Sequence, residues 1–338
     1  METQDVVLTK KDFMSDQMVR WCPGCGDYAV LNSVQNSLPQ LGKKREDFVF
    51  ISGIGCSSRF PYYMNTYGFH TIHGRAAAIA TGVKSANPSL DVWVVSGDGD
   101  SYSIGGNHFI HTIRRNVDIK YIIFNNQIYG LTKGQYSPTS QAGLVTKTSP
   151  YGTIDRPFNP ASLAIGSGCT FYARVIDMDP KTMTDIFVEA AKHKGTAMIE
   201  VLQNCVIFND KVHATITARE TRADRTILLQ HGKPMIFGIN REKGIVLVNG
   251  ALKVVTLGEN GVTEKDLLVH DAHDQNPSIA FMLSQMTQPE FPLPLGIFRQ
   301  VNEPTYDGML VDQINEVKAK KGTADLHAVL AGGSSWQV

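Results

Sequence analysis

The chain of 338 residues has no apolar run long enough to cross a bilayer, so no membrane association is expected. It has no charge excess either: Lys plus Arg and Asp plus Glu both number 32, which leaves no electrostatic signal for nucleic acid. Met1–Phe13 mixes charges and lacks the apolar segment of a secretory signal, so the expected compartment is the cytoplasm. Cysteine is scarce, five in all, and thiols in a reducing compartment serve metal or redox chemistry rather than structural disulfides. Internal repeats, long low-complexity tracts and the Cys-x2-Cys-x2-Cys run of bacterial ferredoxins are all missing.

What is present is concentrated between residues 92 and 126. Gly97-Asp98-Gly99 follows the apolar strand Val92–Val95, and Asn125-Asn126 follows a second strand, Ile119–Phe124. Between them Gly105–Asn116 reads as a helix with Phe109, Ile110 and Ile113 on one side. The result is a β-α-β unit with both polar clusters at strand carboxyl ends, where open parallel sheets bind ligands. Asp98 offers a carboxylate and Asn126 a neutral amide oxygen. Two hard oxygen ligands suit Mg2+, which fills its other positions with water and phosphate oxygens. Gly97 and Gly99 lack Cβ, so backbone can approach a diphosphate closely.

The periodicity predicts helices at Asp27–Leu38, His73–Lys84 and Lys181–Lys192, and strands at Phe48–Ile54, Phe171–Ile176 and Thr196–Val201. This alternation implies an α/β fold, a mostly parallel sheet with helices on both faces. Residues 1–20 read as a polar lead-in arm. Gly130–Pro160 is a loop long enough to be functional or mobile. Beyond about residue 210 the texture changes to short antiparallel strands over Lys233–Gly238 and Gly244–Gly258, turning at Asn249-Gly250. A helix over Pro277–Met286, an extended Pro289–Pro294 and a frayed tail at Gly332–Ser335 complete it. The division expected is residues 1–215 as the ligand-binding domain and 216–338 as an irregular C-terminal extension that covers the sheet edge or meets a partner.

Four thiols are candidates for one site. Cys22-Pro23-Gly24-Cys25 is a Cys-x-x-Cys turn, and Cys56 and Cys205 each follow a strand, whereas Cys169 reads as a small core residue. Four thiolates suit a [4Fe–4S] cluster or structural Zn2+, and spacing alone favours neither. His270-Asp271-Ala272-His273-Asp274 reads as a solvated acidic turn.

Gly-Asp-Gly followed by Asn-Asn resembles the signature of thiamine diphosphate enzymes. Together with Trp21–Asp27, Ile54–Arg59, His73-Gly74-Arg75 and Asn125–Gln135 it resembles the β subunit of 2-oxoacid:ferredoxin oxidoreductases, over residues 18–210. Leu293–Arg299 resembles the tail of the enzymes acting on 2-oxoglutarate. The resemblance implies a thiamine diphosphate-binding fold. It further implies that Asp98, Asn126 and the Ile128 carbonyl hold Mg2+. Ile54, Gly55, Cys56, Ser57 and His73 would contact thiamine. Gly97, Gly99, Asp100, Asn125, Gly130 and Leu131 would contact the cofactor around its diphosphate, and Cys22, Cys25, Cys56 and Cys205 would ligate one [4Fe–4S] cluster. Lys133, Thr132 and His73 would be catalytic, with Lys133 near the substrate carboxylate or coenzyme A (CoA). The implied reaction is reversible oxidative decarboxylation of 2-oxoglutarate to succinyl-CoA, passing electrons to ferredoxin. Pyruvate or a broad range of 2-oxoacids is the alternative substrate, and a non-redox thiamine enzyme half with structural zinc the alternative class. The glutamate that activates the aminopyrimidine belongs to a separate domain, and residues 216–338 cannot supply one. An α partner in an (αβ)2 assembly is therefore expected.

Overall fold

The computed structural model describes residues 8–322 and 324–333. Eight strands form the main sheet in the order β2-β1-β3-β4-β6-β5-β11-β7. These are β1 (Phe48–Ser52), β2 (Tyr67–His70), β3 (Asp91–Gly97), β4 (Ile119–Asn125), β5 (Phe171–Ile176), β6 (Ala197–Leu202), β7 (Thr226–Leu229) and β11 (Leu293–Gln300). The six strands from β2 to β5 run parallel, and β11 joins β5 antiparallel while pairing parallel with β7. A separate antiparallel sheet holds β8 (Ile236–Phe237), β9 (Lys243–Val248) and β10 (Ala251–Thr256), with the expected turn at Asn249-Gly250.

Why the sheet is buried on both faces is visible in its side chains. Val92, Val94, Tyr121 and Ile123 join one apolar cluster with helices α2 (Ala76–Ala86), α4 (Gly106–Arg114) and α5 (Pro160–Gly166). Their neighbours Trp93, Val95, Ile122 and Phe124 join the opposite cluster with α1 (Asp27–Ser37) and α6 (Pro180–Lys192). Alternation along a strand sends successive residues to opposite faces, so near-continuous apolar runs mark strands covered on both sides. A short helix, α3 (Asp98–Tyr102), starts where β3 ends.

The predicted elements are present with ends shifted by a few residues, and two features were not anticipated. The edge strand β2 is exposed along its whole length, so it lacks the apolar pattern that marks the other strands. The C-terminal segment does more than lie across the sheet: β7 and β11 extend it, and a helix over Tyr306–Lys321 follows. Arg299 and Pro294 inside β11 hide that strand from a pattern search. Ser334 and Ser335 of the expected tail, and residues 1–7 of the arm, lie outside the described residues.

Candidate functional site

Strands β3 and β4 are paired in parallel, so Asp98 and Asn126 emerge side by side at the same sheet edge. They line a cavity of about 340 Å³. Its wall also contains Ile54, Gly55, Cys56, Ser57, His73, Gly97, Gly99, Asp100, Ile128, Gly130, Leu131 and Thr132. Every residue expected to touch the cofactor is thus gathered here except Asn125, whose side chain donates to Glu200 instead. Lys133 is exposed and does not line the cavity. Asp27, Arg59 and Tyr129, which belong to the motifs that carry the resemblance but had no role assigned, also line it, as do His70 and Phe124.

Asp98 is buried, and both the Ser137 and Thr139 hydroxyls donate to its Oδ2 at 2.5 Å. Burial pushes its carboxyl up to about 6, with these hydrogen bonds opposing the rise. Among the described residues no Lys, Arg or His pairs with it. A buried carboxylate that lacks a cationic neighbour is costly unless a cation occupies the site. The residues therefore fit a divalent ion, with the Asn126 amide beside it. Close backbone approach is equally visible at Gly99, where a Cβ would stand 2.3 Å from the Tyr129 ring. Asp100 ties the loop of His73 to this edge, because its Oδ1 accepts from the Gly74 N–H at 2.6 Å and its Oδ2 from the Ser96 hydroxyl at 2.7 Å.

The thiols gather beside the cavity. The Cys25 N–H donates to the Cys22 carbonyl at 3.0 Å, closing the Cys-x-x-Cys turn. The Trp21 indole donates to the Cys56 carbonyl at 2.8 Å, which fastens that turn to the loop after β1. The Sγ atoms of Cys205 and Cys56 lie 3.4 and 3.8 Å from where a Cβ on Gly130 would sit. Burial pushes the Cys56 thiol up to about 12, reinforced by Asp27, Cys205 and Cys22. Burial and Asp27 likewise raise Cys25. Asp27 itself is buried with Oδ2 unpartnered, and burial lifts it to about 7. Among the described residues no three His, Cys, Asp or Glu side chains stand in metal-holding geometry. The four thiols are neighbours of matching chemistry, with Cys56 common to thiol group and cavity. Cys169 is buried in the core, as expected.

A cavity at the carboxyl ends of β3 and β4, lined by a buried carboxylate and an amide, lies within a thiamine-dependent enzyme domain. Residues 53–201 match the thiamine pyrophosphate enzyme C-terminal TPP-binding domain. The chain is 50% identical over 339 aligned residues to the 2-oxoglutarate oxidoreductase subunit KorB of Mycobacterium tuberculosis, covering 99% of this chain and 90% of that one. It is 44% identical to the 2-oxoglutarate synthase subunit KorB of Archaeoglobus fulgidus, over 57% of this chain and 73% of that one. A solved 2-oxoglutarate:ferredoxin oxidoreductase from Magnetococcus marinus, with 2-oxoglutarate, coenzyme A and succinyl-CoA bound, superposes with a TM-score of 0.76. It is 33% identical, covering 97% of this chain and 96% of that one. The chain belongs to the family of 2-oxoglutarate:ferredoxin oxidoreductase β subunits. No helix among the described residues is long and apolar enough to cross a membrane.

Proposed function

We propose that this subunit binds thiamine diphosphate through Mg2+ held by Asp98, Asn126 and the Ile128 carbonyl, and carries one [4Fe–4S] cluster on Cys22, Cys25, Cys56 and Cys205. The observation that carries the reading is the buried Asp98 carboxylate, without an ion-pair partner among the described residues, lining a cavity that Cys56 also lines. When bound, the cofactor supplies the carbanion that cleaves a 2-oxoacid next to its carbonyl. The residues of this chain bind and orient the cofactor. Asp98 and Asn126 anchor the diphosphate, while Ile54 to Ser57 and His73 orient the ring. The loop holding Cys56 sets the separation between the reacting ring and the electron acceptor. Thr132 and Lys133 face the substrate or CoA.

An α partner completes the site with the activating glutamate in an (αβ)2 assembly, and ferredoxin takes the electrons in the cytoplasm. Residues 1–215 act as the binding unit and 216–338 as cover and partner contact. The coupled reaction converts 2-oxoglutarate and CoA to succinyl-CoA and CO2, and strongly reducing ferredoxin reverses it toward carboxylation. The test is anaerobic purification of the complex with iron, labile sulfide and zinc analysis. Iron and sulfide in a four-to-four ratio per β chain, with a brown colour bleached by dithionite, support the reading. Stoichiometric zinc without iron overturns the cluster and favours a non-redox thiamine enzyme half.

A further inference from the structure

Asn125 precedes the proposed Mg2+ ligand Asn126, yet its side chain serves a different set of groups. Its Nδ2 donates to Glu200 Oε1 at 2.7 Å, and its Oδ1 accepts from the Thr139 hydroxyl at 3.0 Å. The same hydroxyl lies 2.5 Å from Asp98 Oδ2. One proton shared between two acceptors is a three-centre bond, its stronger arm on the charged oxygen. Glu200 Oε2 in turn accepts from Arg174 Nε at 2.6 Å and from the Tyr172 hydroxyl at 2.5 Å. Burial opposes charge on Glu200, but Arg174 and these donors hold its carboxyl below the usual range. An ionised Glu200 fixes which way the Asn125 amide points, because a reversed amide would set its oxygen against the carboxylate. Asp98, Asn125, Thr139 and Glu200 are each 2% exposed, so water is poorly placed to substitute for any link. The Ser137 and Thr139 hydroxyls both go to Oδ2, and among the described residues no side chain donates to Oδ1.

We infer that Asn125 and Glu200 are positioning residues for Asp98: the buried relay Arg174–Glu200–Asn125–Thr139 holds one carboxylate oxygen and turns the other to the metal. The inference rests on the reading of Asp98 as a Mg2+ ligand. Partners behind a metal ligand tune affinity by roughly ten- to a hundredfold.

The experiment titrates Mg2+ calorimetrically into the purified complex at saturating thiamine diphosphate. Asn125→Ala cuts the relay and spares the Arg174–Glu200 pair, whereas Glu200→Gln would strand Arg174 in the core. Asn125→Ala and Thr139→Val should each weaken Mg2+ about tenfold. The double variant should also lose about tenfold, because the two act through one chain and their effects do not add. Thr139→Ser should restore wild-type affinity. A merely structural role for Asn125 would lower the melting temperature and leave Mg2+ affinity untouched. Wild-type Mg2+ affinity in Asn125→Ala, or a loss of about a hundredfold in the double variant, overturns the relay. Asp98→Ala separates the two failures. If it abolishes Mg2+ binding while Asn125→Ala does not, only the relay is wrong; if it too binds normally, the cation site is wrong as well.

Discussion

Two buried aspartates near opposite ends of the β3–β4 pair behave in opposite ways. Asp98, after the carboxyl end of β3, forms no ion pair among the described residues, and burial lifts its carboxyl to about 6. Asp118, just before β4, has Lys120 at 2.6 Å, Lys84 at 3.3 Å and Lys194 at 3.5 Å. Burial works against its charge too, but Lys120 and Lys84 outweigh it and hold its carboxyl far below the usual range. The Asp118 N–H also donates to Asp307 at 2.9 Å, tying the C-terminal helix to this end of the sheet. The difference teaches how to read a buried charge. One already paired with cations inside the chain is part of the scaffold, and one left without a cation at a cavity is a candidate for binding an external one.

The comparison can be broken most forcefully at Asp118. Asp118→Asn leaves Lys84 and Lys120 buried without their anion and should cost about 3–5 kcal/mol of stability, read by denaturant unfolding. Affinity for Mg2+ and thiamine diphosphate, measured where the protein is still folded, should be near normal. Asp98→Asn is the converse. It removes the charged oxygen facing a diphosphate and should weaken cofactor binding on the order of a thousandfold, roughly 4 kcal/mol by calorimetry. The cofactor-free protein should melt close to wild type.

His193 sharpens the scaffold side of the comparison. It is buried against Thr170, and burial, with Lys120 nearby, brings its imidazole down to about 4 from 6.5. The unfolded chain therefore takes up this proton at a higher pH than the folded one. The contribution is complete above about pH 6.5 and is lost as pH falls toward 4, at most about 3 kcal/mol. Asp118, also depressed, adds a loss of the same sign in stronger acid. His193→Gln should flatten the stability profile between pH 6.5 and 4; an unchanged slope there would mean other groups set it.

Lys133 is a third kind of charge, exposed and held at a φ of 78°. If it pairs with the distal carboxylate of 2-oxoglutarate in the assembled enzyme, Lys133→Ala should lower kcat/KM for that substrate about ten- to a hundredfold, roughly 1.5–3 kcal/mol. Pyruvate lacks that group and should suffer far less. Equal losses would assign Lys133 to CoA or to the carboxylate both substrates share, and no loss would leave it a solvated charge.

Much of the binding edge was legible because strand polarity fixes it. A Gly-Asp-Gly and an Asn-Asn that each end a strand of one β-α-β unit must emerge together. Side-chain direction was not legible. Asn125 and Asn126 are neighbours in sequence, yet only Asn126, just past the end of β4, lines the cavity, while Asn125, the last strand residue, turns its side chain to Glu200 and Thr139. Ser137 and Thr139 were hidden in a loop whose composition indicates only irregular structure, although their hydroxyls hold Asp98. Asp27 looked like an ordinary helix start until folding buried it beside the thiols. β7 and β11 escaped because their place in the sheet depends on pairing partners distant in sequence.

The most direct measurement is a set of thermal melts of wild type, Asp98→Asn and Asp118→Asn in the assembled complex, each with and without Mg2+ and thiamine diphosphate. A crossover is the predicted result. Asp118→Asn melts early yet is still raised by the cofactor, whereas Asp98→Asn melts like cofactor-free wild type and is not raised. Cofactor stabilisation of Asp98→Asn equal to that of wild type would contradict the account, because the buried carboxylate would then have no part in holding the ion.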